Sequence, residues 1–136
     1  MDAALLDTDM LIEFLKQKNP LVAQHAAAYF QQHSEFAFSA ISRYEVLRGI
    51  KEKNAVVQAQ RFSVFTQHSV ILPITDSILN QTADLWVAAR RGGHPNGDAD
   101  LIIAATALES GRVLVTGNTA HFAWIPNLRL ADWRQP

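Results

Sequence analysis

A chain of 136 residues, 49% hydrophobic and 18% charged, has the length and composition of one globular domain, residues 1–136, and its net charge of −1 excludes a surface built for bulk attraction of nucleic acid. The absence of cysteine excludes disulfides, thiolate zinc sites and cysteine catalysis, in keeping with a reducing cytoplasm. The start Met1-Asp2-Ala3-Ala4-Leu5-Leu6-Asp7 carries no basic segment, and no run approaches the ~18 consecutive apolar residues of a membrane span, so a soluble cytoplasmic protein is expected.

Ala3-Ala4-Leu5-Leu6 reads as a strand that stops at Asp7-Thr8-Asp9, and residues 10–16 follow with helical spacing. In open α/β sheets ligands bind at the carboxyl ends of strands, where Asp7 sits; the plainer alternative is that one of these three residues only caps the helix. Pro20 breaks the chain, residues 21–33 form a second helix, and His25 and His33 lack partners at ligand spacing. Residues 36–39 predict a buried strand, and residues 40–53 a helix capped by Ser39. Glu45 shares a face of that helix with Ser42 and Arg48, which is either a functional stripe or a solvated ion pair. The helix expected over residues 55–68 has a wide apolar face suited to another helix, one from a second subunit included.

Residues 70–74 predict a strand with Pro73 at its end, and Thr75 or Asp76 caps a long helix to about Arg91. After His94-Pro95-Asn96-Gly97 comes the most informative stretch, Asp98-Ala99-Asp100 followed by Leu101-Ile102-Ile103-Ala104-Ala105-Thr106-Ala107-Leu108. Apolar residues without a polar face predict a central, buried helix, with Asp98 as its N-cap and Gly111 beyond its end. One cap serves one helix end, so a second acid in the first turn, Asp100, needs a further reason. Residues 113–116 predict a fourth strand running into Gly117-Asn118-Thr119, while residues 121–136 read as irregular packing with a last short strand at residues 128–130.

Four strand-to-loop junctions are thus expected to bring Asp7, Glu45, Asp100 and Asn118 to one edge of a parallel sheet. Carboxylates gathered without lysine or arginine between them repel and resist ionisation, so such a cluster makes sense around a cation. With hard oxygens as ligands and His94 as the one histidine expected nearby, magnesium or manganese is favoured over zinc.

Leu5-Leu6-Asp7-Thr8-Asp9, Ser39-Ala40-Ile41-Ser42 with Glu45 and Gly49, Gly97 to Ala105, Val115-Thr116-Gly117-Asn118, and His121-Phe122, Ile125-Pro126 and Asp132-Trp133 in the tail together resemble a PIN domain, in particular the VapC-type toxins of bacterial toxin–antitoxin pairs. The resemblance covers nearly the whole chain. It implies a three-layer α/β/α sandwich on a parallel sheet of about five strands, magnesium-dependent endoribonuclease activity, a homodimer, and neutralisation by a small cognate antitoxin. Asp7, Glu45 and Asp100 match the family's three central acids, with Asp98 as an auxiliary. The fourth acidic position is Asn118, which lowers the charge of the site and suits one metal ion better than two.

The expected reaction is hydrolysis of an RNA phosphodiester by metal-activated water, with Asp7 and Asp100 as direct ligands and Glu45 acting through water. Thr8, Ser42 and Thr116 are candidate donors that hold the carboxylates, and Arg48, Arg90 and Arg91 candidate partners of RNA phosphates. Two other readings compete. A catalytically degenerate PIN-like RNA- or protein-binding module is suggested by Asn118. An aspartyl-phosphate phosphotransferase is suggested by the first motif, but such sites need a lysine late in the sheet and this chain has none after Lys53.

Overall fold

A computed structural model describes all of residues 1–136. The chain runs β1 (Ala4–Leu6), α1 (Thr8–Lys16), α2 (Pro20–His33), β2 (Phe36–Ser39), α3 (Ala40–Lys53), α4 (Val56–Gln67), β3 (Ser69–Leu72), α5 (Asp76–Gly92), α6 (Asp98–Ser110), β4 (Val113–Val115), α7 (Thr119–Phe122) and β5 (Leu130–Ala131). Side-chain caps set several helix starts: Asn19 accepts from the backbone of Leu21 and Val22, Ser39 from Ile41 and Thr75 from Ile78.

Every strand pairing is parallel, with Leu5 opposite Leu114, Leu114 opposite Leu130, and Phe38 opposite Ile71. The ladders divide in two, β1-β4-β5 and β2-β3, so the single sheet of about five strands is corrected to one of three strands and one of two, with β1 running beside β2.

Alternation along the strands makes the layers. Ala4 and Leu6 of β1 and Phe36 and Phe38 of β2 point to a core shared with Met10, Leu11, Leu15, Val22, Phe62 and Phe65 of α1, α2 and α4. Leu5 and Ala37, between them, point to the opposite core with Ile78 and Leu85 of α5 and Leu101, Ile103, Ala104, Ala105 and Ala107 of α6. Both faces of the strands are therefore covered by helices, which gives the expected three-layer sandwich. Helix α6 is apolar along most of its surface because it is buried on most sides; it packs most extensively against α5 and also meets α3 and β4.

Three local expectations are corrected. Gly97, not Asp98, is the N-cap of α6 and offers no side-chain bond, so Asp98 is the exposed first residue of the helix. Asp100 does not follow a strand: α6 comes directly after α5 and the loop of residues 93–97. The stretch expected to be irregular contains the short helix α7.

Candidate active site

The carboxyl end of β1 runs straight into α1, and Asp7 occupies the junction. Its Oδ1 accepts the Thr8 backbone N–H at 2.8 Å and its Oδ2 the Thr116 hydroxyl at 2.7 Å, so the cap function and the buried acid are one residue. Thr116 follows β4, the neighbour of β1, and that pairing is what brings its hydroxyl to Asp7. Only 6% of Asp7 is exposed. Burial, followed by the charge of Asp9, raises its carboxyl from 3.8 to about 7, against the pull of the Thr116 and Thr8 donors and with a smaller push from Asp100.

Helix α3 delivers Glu45 from the next strand end. The Thr8 hydroxyl donates to Glu45 Oε1 at 2.7 Å and lies 3.0 Å from the Ser42 Oγ, so the stripe on α3 is fastened to the first turn of α1. On its outer side Glu45 Oε2 stands 3.7 Å from Arg48, an exposed pair of little energetic consequence. Helix α6 delivers Asp100, whose Oδ2 lies 3.0 Å from His121 Nε2 on α7. The turn before α7 delivers Asn118, with its backbone N–H donated to the Thr116 hydroxyl oxygen.

These residues meet. Asp7, Thr8, Asp9, Glu45, Asp100, Asn118 and His121 line one cavity of about 290 Å³, with Ile12 and Phe122 as its apolar lining. No lysine or arginine lines it. The side chains as they stand do not close three acidic or histidine groups tightly around a point; Glu45 bonds Thr8 through Oε1, and Asp100 bonds His121 through Oδ2 alone. The donor set nevertheless fits a hard divalent cation: oxygen ligands from separate elements, around a carboxyl that burial and the charge of Asp9 raise to about 7.

Several candidates lie elsewhere. Asp98, Arg90, Arg91 and Arg48 are exposed and do not line the cavity, and Arg90 rests its guanidinium over Trp86 at 4.8 Å. His94 is corrected as the nearby histidine, since it stacks on Trp124 at 4.5 Å; the histidine at the acids is His121.

The sequence model of the PIN domain matches residues 4–126. The chain belongs to the PIN domain family. It is 29% identical over 136 residues to the tRNA(fMet)-specific endonuclease VapC of Salmonella typhimurium, an alignment spanning 95% of this chain and 96% of that protein. A crystal structure of DNA-bound VapBC from Salmonella typhimurium superposes with a TM-score of 0.85 at 26% identity over 98% of this chain and 99% of that one. A toxin-antitoxin complex from Klebsiella pneumoniae gives 0.74 at 29% identity over 96% and 98%.

Within this PIN domain, two cavity residues carry no role in the sequence reading. Asp9 accepts the Gly117 backbone N–H at 2.9 Å and stands at the cavity mouth, where the protein packed behind it raises its carboxyl above the ordinary value. The signal for it was its spacing from Asp7, which the capping explanation absorbed. His121 lies in a tail that lacks periodicity, and only a tertiary contact relates it to Asp100. Gly117 has its own reason: a Cβ there would come within 2.7 Å of the Arg134 guanidinium carbon and 2.9 Å of Asp9 Oδ2.

Proposed function

We propose that this PIN domain is a magnesium-dependent endoribonuclease that acts as the toxin of a toxin–antitoxin pair. The observation that carries the reading is one cavity, lined by no arginine or lysine, in which Asp7, Glu45 and Asp100 meet from three different helices or strand ends. Asp7 and Asp100 would hold magnesium, manganese serving as an alternative, with Asn118 as a neutral oxygen donor. The bound ion supplies the Lewis acidity that makes water a nucleophile near neutral pH and offsets charge on the phosphate. Glu45, fixed by the Thr8 hydroxyl, orients the attacking water, and Thr116 holds Asp7 in place. The cavity also weighs against phosphotransfer through an aspartyl phosphate, which requires a lysine that this lining lacks.

The substrate is RNA in a single-stranded or loop form, whose phosphate can enter an open cavity; the tRNA named for the Salmonella relative is the first to test. A partner protein belongs to the reading because solved structures similar to this chain are complexes of toxin with antitoxin. A second concavity of about 830 Å³ between α1, α2 and α4, with Phe14, Phe30 and Val64 on its walls, offers the antitoxin an apolar surface apart from the acids. A homodimer completes the reading, and Leu79, Trp86 and Val87 on α5 are exposed apolar residues available to it.

Asn118 in place of an acid favours one rival, a degenerate module that binds RNA without cutting it. Purified protein incubated with tRNA and magnesium separates the two. The nuclease reading predicts discrete cleavage that Asp7→Asn abolishes; binding without cleavage, or undiminished cleavage by Asp7→Asn, contradicts it.

A further inference from the structure

We infer that His121 is a positioning residue that holds the Asp100 carboxylate at the cavity wall by its Oδ2 through its Nε2–H and leaves Oδ1 for the metal. The inference rests on the nuclease reading and adds to it a residue that neither the three-acid pattern nor the relatives assigns.

The contact itself is short, 3.0 Å from His121 Nε2 to Asp100 Oδ2, with the two side chains 21% and 38% exposed. A surface pair of a histidine and an acid is ordinarily worth little. This one differs because both backbone polar groups of His121 are anchored and its ring packs against a buried neighbour. Its backbone N–H donates to the Asn118 carbonyl at 3.1 Å, and its backbone carbonyl accepts from Asn96 Nδ2 at 3.0 Å. Asn96 is fixed in turn by Trp124 Nε1, which donates to Asn96 Oδ1 at 2.8 Å. The ring stands edge-on to the buried Phe122, with centroids 5.4 Å apart at 83°.

Each of these anchors belongs to the loop before α6 or to the segment around α7. Asn96 precedes the helix that carries Asp100, and Trp124 follows the helix that carries His121. The Trp124–Asn96–His121 chain therefore fixes the distance between the two helix starts, and the Nε2–Oδ2 contact fixes the carboxylate within that frame. The same turn places Asn118 and His121 three residues apart on the cavity wall, so one backbone segment sets both the amide oxygen and the imidazole. Groups that orient a ligating carboxylate by hydrogen bonding typically govern metal affinity by about ten- to a hundredfold.

The test uses glutamine and asparagine in place of the histidine. A glutamine amide nitrogen reaches the position of Nε2, while an asparagine amide reaches only that of Nδ1, too short for Asp100. Magnesium affinity is measured by calorimetric titration of the full chain, with melting of the metal-free proteins as the folding control. His121→Gln is expected to bind magnesium within about threefold of the wild type, and His121→Asn about tenfold or more weakly. Equal affinity of His121→Asn and the wild type overturns the inference, and so does a glutamine variant as weak as the asparagine one. If His121→Asn does not fold, Asn96→Ala carries the test: it releases the His121 carbonyl without touching the ring, weaker binding is expected, and wild-type affinity overturns the inference. A wild-type chain that binds no magnesium removes the nuclease reading and this inference together, whereas wild-type binding with undiminished variants removes the inference alone.

Discussion

Asp7 serves two ends that conflict in the absence of a cation: it caps α1, which favours its charge, and it is buried beside Asp9, which opposes it. Because burial lifts its carboxyl from 3.8 to about 7, the metal-free folded chain keeps a proton there that the unfolded chain gives up. The stabilisation from that proton is complete below about pH 4 and is lost as pH rises through about 7. Metal-free protein should consequently melt at a lower temperature at pH 8 than at pH 5.5 on account of this group, and Asp7→Asn should flatten that difference while melting no lower than the wild type at pH 8. Magnesium must displace the same proton, so its affinity should climb with pH up to about 7 and level off above, as calorimetric titration at stepped pH would record. The Thr116 hydroxyl pulls the other way, and Thr116→Val should weaken magnesium binding by removing a charge-assisted bond to Asp7 worth roughly 1.5–3 kcal/mol.

Helix α6 matters at the scale of elements, since it fills the core against β1 and β4 while its first turn presents Asp100. Ala104 and Ala105 are fully buried in the core. Ala104→Leu should cost about 1–3 kcal/mol in a denaturant titration by overpacking. On the other face Phe38→Ala should cost about 3–5 kcal/mol by leaving a cavity among the rings of Phe62 and Phe65. The unbroken apolar character of residues 101–108 made α6 legible in the sequence as a buried helix, and the cap Ser39 made the start of α3 legible to the residue, that of α5 being left between Thr75 and Asp76. Its own cap was misread because an acid beside a glycine looks like a cap, yet in α6 the glycine takes that place and Asp98 is turned outward. The joining of β1 to β4 rather than to β2, and the contact of His121 with Asp100, depend on pairing between distant segments, for which local spacing carries no signal.

For the molecule as a whole, the two concavities lie on different surfaces of α1: Ile12 faces the acidic cavity, Glu13 and Phe14 the apolar groove. On the proposed reading, catalysis and restraint by a partner should be separable by mutation. Ala27→Glu, on the exposed wall of the groove, should abolish co-purification with the antitoxin and leave RNA cleavage intact, whereas Asp100→Asn should do the reverse. No helix is long and apolar enough to cross a membrane. The most direct test of the whole account is a crystal structure of the protein grown with manganese, read by anomalous scattering. The account predicts a peak inside the cavity within bonding distance of the Asp7 and Asp100 carboxylates; saturating manganese with no peak there, or a peak bound only by other residues, would contradict it.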